Sequence, residues 1–235
     1  MVTFIPFQIK AENTADNILI EHGVPLEIIN KMTELQKEYL RDNLPKDAVY
    51  ESFAEKEYVF DEKGIPTIQP YSPLPSSDLT MSVVGFTNGN GTYNIYPSFV
   101  WHNFSKTPSN DVFTVELYPG WELTPGTRPN CRLWNKNSDN KLTAYYDYPP
   151  EAMGAIGAAF HFGKDLVSSA GFEGHASLTA TKKSANATHS VVLNYFHDTS
   201  WAFSVSFSIS VGAAQITIVP SRSSLVDTMN GIFPF

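Results

Sequence analysis

Trp201-Ala202-Phe203-Ser204-Val205-Ser206-Phe207-Ser208-Ile209-Ser210-Val211 alternates an apolar side chain at every odd position with alanine or serine at every even one. Side chains on a strand alternate faces with period 2, so this stretch reads as a strand with one apolar face and one face of small hydroxyls. Working outward, the chain after residue 78 repeats the theme. Leu79–Thr87 and Thr92–Trp101 flank Asn88-Gly89-Asn90-Gly91, a hairpin signal because both residue types accept positive φ. Val112–Pro119, Leu142–Tyr148, Ala155–Gly163, Phe172–Thr181, His189–Phe196 and Gln215–Val219 continue the series between short Gly, Pro, Asn and Ser clusters. Nine candidate strands with no long helix between them predict a mainly β, antiparallel β-sandwich or barrel, of which the sandwich is the reading adopted.

The first third reads differently. Val24, Ile28, Ile29, Met32, Leu35, Tyr39 and Leu40 recur at steps of three and four, Pro25 suits a first helical turn, and Pro45 ends the run. The spacing predicts a helix over 24–44, followed by a helical or extended element through Val49, Phe53, Tyr58 and Phe60. Pro66, Pro70, Pro73 and Pro75 then preclude a regular helix or central strand. The expected organisation is an N-terminal helical segment (1–63), a proline-rich linker (64–77) and an antiparallel β-sandwich domain (78–235). A charged helix on such a linker suits a removable segment or a plain packing element. Met1–Glu12 turns abruptly from apolar to polar, the pattern of a signal peptide's tail or of an ordinary first strand.

The chain has 235 residues with 16 basic and 24 acidic side chains, a net charge of −8. Only Lys182-Lys183 form a basic pair, so no nucleic-acid partner is expected. One cysteine, Cys131, excludes an internal disulfide and any multi-cysteine metal site. No segment approaches the ~20 apolar residues of a membrane helix.

Chemistry-bearing motifs are sparse. GxSxG, HExxH and CxxC are all missing, so no catalytic residue, metal ligand or cofactor is assigned. His161, His175, His189 and His197 fall on separate predicted strands, and the sequence does not say whether they converge. His197-Asp198 sits where a hairpin would turn. Glu116, Glu122, Asp147, Glu151 and Glu173 are carboxylates that a hydrolase cleft would have to gather. Asn135–Asn140 is an oxygen-rich loop of the kind that holds calcium, and equally a solvated hairpin loop.

Aromatic residues make up 13% of the chain and concentrate early in the β region. Four that neighbour loops, Trp121, Trp134, Tyr145 and Tyr146, are the expected exposed platforms for a sugar ring or a protein partner. The serine-faced strand supports a second reading, with residues 189–219 as an inserting hairpin whose Trp201, Phe203, Val205, Phe207, Ile209 and Val211 face lipid. A membrane partner belongs to that reading alone.

The ordered segments HGVPLEIINKMTELQKEYLRDNL (22–44), YESF (50–53), YVF (58–60), YPSFVWHNFSKTPSNDVFTVEL (96–117) and VVLNYFHD (191–198) span most of the chain. In these the chain resembles uncharacterised secreted β-sandwich proteins of Bacillus, Paenibacillus and Clostridium relatives. The resemblance implies export from a Gram-positive cell and a β-sandwich, and brings no catalytic residue. Together the readings predict an exported, monomeric or weakly associating, non-enzymatic protein that binds a glycan or protein partner at or outside the cell envelope. A membrane-active protein and a hydrolase are the alternatives.

Overall fold

The computed structural model describes residues 14–60, 66–68, 78–102, 110–136, 142–162, 171–198, 207–211, 215–221 and 226–235. Among these, three helices come first: α1 (Ala15–Glu21), α2 (Leu26–Ile29) and α3 (Glu34–Asn43). The strands follow: β1 (Val49–Phe60), β2 (Pro66–Ile68), β3 (Leu79–Thr87), β4 (Thr92–Trp101), β5 (Asp111–Leu117), β6 (Trp121–Leu123), β7 (Asn130–Lys136), β8 (Leu142–Tyr148), β9 (Ala152–Gly154), β10 (Gly157–Phe162), β11 (Gly171–Lys182), β12 (Ser190–Asp198), β13 (Phe207–Val211), β14 (Ile216–Pro220) and β15 (Val226–Pro234).

Two antiparallel sheets face each other as a sandwich. The larger runs β2-β1-β3-β4-β11-β7-β8, with β6 attached to β11, and the smaller runs β15-β12-β5-β10-β9. Inward-facing residues of both sheets form one core, in which Phe99 packs on Tyr195 (ring centroids 4.8 Å apart) and on Phe113 (5.0 Å). Close approach of backbone to ring explains Gly174: a Cβ there would collide with the Phe99 ring. The fold is thus the expected antiparallel β-sandwich with an N-terminal helical segment.

The larger sheet is covered on its outer face as well. Leu19, Val24, Ile29, Met32, Tyr39 and Leu40 of the helical segment form a second core with Val84, Phe86, Tyr96 and Trp134 of the sheet. Burial from both sides is why β3 and β4 read as nearly continuous apolar runs. The helix expected over 24–44 is in fact two. Thr33 takes an extended conformation (φ −69°, ψ 157°) and its hydroxyl accepts the Gln36 N–H at 3.1 Å, which starts α3 afresh after α2 has ended. The element after it is extended: β1 pairs with β3 in antiparallel register from Val49↔Thr87 to Tyr58↔Leu79. Of the proline-rich stretch 64–77, Pro66–Ile68 is described and pairs with the end of β1.

The stretch from Trp201 divides. Phe207–Val211 is strand, paired with β14 in a separate two-stranded sheet, while 201–206 lie outside the described residues. The expected hairpin 189–219 is not formed here. Residues 190–198 are instead an inner strand of the smaller sheet, hydrogen-bonded to β5 and β15. His197-Asp198 accordingly ends a strand, paired with Asp227 and Val226, rather than making a turn. The expectation for Met1–Glu12 also lies outside the described residues, as does most of Asn135–Asn140.

Candidate functional site

Strand register places one row of side chains across six neighbouring strands on the outer face of the larger sheet. Glu55, Ser82, Ser98, His175, Arg132 and Asp147 are successive cross-strand partners on β1, β3, β4, β11, β7 and β8. Both ends of the row are ion-paired. Lys31 Nζ reaches Glu55 at 2.7 Å, and Arg132 donates through Nε (2.6 Å) and Nη2 (3.1 Å) to the two oxygens of Asp147.

The middle of the row lies under α3. Gln36 Nε2 donates to Ser82 Oγ (3.4 Å) and Ser98 Oγ (3.3 Å), while His175 Nδ1 sits 2.9 Å from Ser98 Oγ. Beside it Glu173, on the same strand face as His175, is wholly buried. Its carboxylate accepts from Thr33 Oγ1 (3.0 Å) and Lys136 Nζ (3.0 Å), and His175 Nε2 lies 3.4 Å away. Burial alone pushes the Glu173 carboxyl up. The hydrogen bond and charge of His175, with those of Lys136, outweigh it and hold the pKa at about 2.

Serine, histidine and glutamate in sequence of contact resemble the parts of a nucleophilic triad. Their setting gives them another role. Ser98, His175 and Glu173 are all inaccessible to solvent, and Ser98 sits mid-strand with ladder partners on both sides rather than on an exposed turn. What they do chemically is fix the N-terminus of α3 to the sheet through hydrogen bonds to a buried anion.

Toward β8 the same face emerges into solvent. Tyr145 is 57% exposed and pairs across strands with Trp134, whose ring centroid is 6.4 Å from its own. The Arg132 guanidinium lies over the Tyr145 ring, 4.9 Å from the centroid, and 5.6 Å from that of Trp134. Tyr39 of α3 walls the group, 5.9 Å from the Trp134 centroid and from Arg132. Tyr146 is 41% exposed but alternates to the opposite face of β8, where it approaches Tyr148.

Two of the four expected platforms are therefore internal. Trp134 is 4% exposed because α3 covers it, and Trp121 is 2% exposed. The Trp121 ring is enclosed by Tyr93, His189 and Phe235, and its Nε1 donates to Thr188 O at 2.8 Å. Trp121 also borders a cleft of about 300 Å³ shared with Glu116, Glu122 and Lys183. Both carboxylates are engaged, Glu116 by the backbone N–H of Ile216 (3.0 Å) and Glu122 by Lys183 (3.4 Å).

His161, His175, His189 and His197 occupy four separate environments. His175 lies beneath α3. His189 contacts Glu51 and Lys182 within the Trp121 group, and His161 meets Asn110. His197 Nδ1 lies 3.1 Å from Asp111 Oδ2, which also accepts the Tyr195 hydroxyl at 2.6 Å. Among the described residues, no three His, Cys, Asp or Glu side chains gather closely enough to hold a metal ion. Cys131 is buried in the sandwich core, and burial pushes its thiol up, away from the reactive thiolate. Among the same residues no helix is long and apolar enough to cross a membrane, which says nothing of strands.

No family model and no curated protein matches this sequence. Solved structures that share part of its architecture include a pore-forming protein (TM-score 0.37, 9% identity, 75% of this chain and 94% of the other). Others are the collagen-binding domain of a Staphylococcus aureus adhesin (0.37, 8%, 65% and 95%) and Clostridium perfringens delta-toxin (0.35, 7%, 79% and 87%). At such TM-scores the likenesses carry no argument about function.

Neither Glu173 nor His175 stood out as a unit in the sequence. Their i, i+2 spacing on a strand was the available signal, whereas Ser98 and Thr33 join them from 77 and 140 residues away.

Proposed function

We propose that this chain is an exported, non-enzymatic binding module that meets a glycan or protein partner at or outside the cell envelope through the β7–β8 edge of its larger sheet. The observation that carries the reading is the exposure of Leu142, Tyr145 and Tyr146 on one strand. Strand β8 pairs with β7 at the end of the sheet's order. Exposed aromatics at a sheet edge combine large contact area, few rotatable bonds and backbone groups able to take a partner. The export part of the reading rests on the resemblance of the ordered segments 22–44, 96–117 and 191–198 to secreted proteins of Gram-positive bacteria. The test is binding of the purified full chain to Gram-positive envelope preparations. The double variant Tyr145→Ala, Tyr146→Ala should lose most binding with unchanged circular dichroism, and equal binding by both forms overturns the reading.

Membrane action is the second reading, favoured by one observation: β13 and β14 form a hairpin outside both sandwich sheets, with Val219 exposed at 55%. Each strand has five residues, against the roughly 9–11 that a membrane-spanning strand needs, so insertion requires both to lengthen, β13 by taking in Trp201–Ser206 and β14 beyond Pro220. Dye release from anionic and neutral liposomes tests it. Leakage supports this reading, and silence at every lipid composition and pH removes it.

A further inference from the structure

We infer that the outer face of the β7–β8 edge is a saccharide subsite for a neutral sugar ring, with Tyr145 as the stacking surface and the Arg132–Asp147 pair as the hydroxyl reader. The inference rests on the edge reading above and names the class of ligand for it.

Three features of the geometry converge. Tyr145 and Asp147 are two residues apart on β8 and so share a face, and their cross-strand partners Trp134 and Arg132 share the corresponding face of β7. One side of the Tyr145 ring is backed by the Arg132 guanidinium, which holds the ring while more than half of the side chain stays in water. The C–H face of a pyranose is apolar and polarised slightly positive, so it packs on an electron-rich ring as an apolar surface does.

The fork beside the ring supplies the polar half. Arg132 uses Nε and Nη2 on Asp147 and is itself only 24% exposed among the Tyr39, Trp134 and Tyr145 rings, so its part is to hold the carboxylate in place, with whatever N–H remains at the edge of the pair. Each Asp147 oxygen accepts one of those two bonds and keeps lone-pair capacity, on a side chain 45% exposed. Acceptor capacity on Asp147 thus lies next to a fixed guanidinium at the rim of the ring. Vicinal sugar hydroxyls, each both donor and acceptor, match such an edge.

Charge decides between ligand classes. The pair is neutral overall: a phosphate, sulfate or carboxylate approaching Arg132 also meets the Asp147 carboxylate, and a cation approaching Asp147 meets the guanidinium. A neutral polyol meets neither repulsion. Tyr39 bounds Arg132 and Trp134 on the helix side.

The experiment uses the full chain on an array of neutral hexose and N-acetylhexosamine oligosaccharides beside sialylated and sulfated ones, followed by titration of any hit. Wild type should bind a neutral oligosaccharide. Tyr145→Ala should weaken that binding at least tenfold, Tyr145→Phe should keep it within about threefold, and Asp147→Asn should weaken it about tenfold. Absence of binding to every neutral saccharide, or binding indifferent to Tyr145→Ala, overturns the assignment. Competition on envelope preparations by an excess of the free neutral oligosaccharides separates the two levels. Tyr145-dependent binding that no neutral oligosaccharide displaces overturns the saccharide class and leaves the edge reading standing. Envelope binding that no edge variant alters overturns the edge reading itself.

Discussion

The polar row on the larger sheet is one chemical pattern in two settings. At its centre Ser98 and His175, with Glu173 beside them, are sealed beneath α3. At its β8 end Arg132 and Asp147 carry similar chemistry into water next to an exposed tyrosine. The difference teaches that burial, more than residue type, assigns the role. Under the helix Ser98, His175 and Glu173 each have a fixed partner and the set works as an adhesive. At the edge the groups retain hydrogen-bonding capacity, and the set becomes a surface that another molecule can use.

Breaking the covered half should have the largest effect. Glu173→Gln leaves Lys136 and His175 without their anion and should cost about 3 kcal/mol in urea denaturation. The same residue sets a pH dependence. Its carboxyl titrates at about 2 when folded, against 4.5 as the ordinary value, so the stabilisation is fully present above pH 4.5. It is lost as pH falls from 4.5 through 2, an amount of about 3 kcal/mol that Glu173→Gln should abolish. A stability curve between pH 2 and 5 with the same slope in both forms contradicts this.

Thr33→Ala should come next, at about 1–2 kcal/mol, because one hydroxyl both caps α3 and donates to Glu173. In a double-mutant cycle with Glu173→Gln the two effects should be less than additive. At the open end Asp147→Ala should cost no more than about 1 kcal/mol, since the pair is partly exposed and screened. Tyr145→Ala should change stability by only about 0.5 kcal/mol while removing binding, the sharpest contrast with Glu173. A large stability loss from Tyr145→Ala would erase the distinction between the two halves.

Much of the strand set was legible because it depends on local pattern. β3 and β4 match the expected ranges end for end, since Asn-Gly repeats set the turn and burial on both faces makes the runs apolar. β7 escaped because Trp134, apolar yet on the helix-covered face, spoils the alternation of Cys131 and Leu133 with Arg132. β15 escaped for a different reason. Gly231 and Pro234 interrupt the set Met229, Phe233 and Phe235, and Gly231 is there because a Cβ would meet Phe233 and the Tyr58 hydroxyl, both at 2.8 Å. α1 is seven residues long, too short for a periodicity to declare itself.

The site was half legible. Tyr145 and Tyr146 were rightly expected at the surface from their place beside a loop. Trp121 was not, because the groups that bury it, His189 and Phe235, lie far along the chain. Nothing local in Pro119-Gly120-Trp121 distinguishes a tryptophan that points to water from one that closes a core.

The bond between Thr33 and Glu173 joins residues 140 positions apart, and this sets an order of events in synthesis. The helices leave the ribosome before the sheet, and the anion that anchors α3 is made only 140 residues after Thr33. Until β11 joins the sheet, the apolar stripe of Leu19, Ile29 and Leu40 lacks its completed floor. Such long-range closure is slow and leaves greasy surface waiting. In the nascent chain, the helical segment is therefore made before the sheet that seats it, is late to settle, and needs protection until it does.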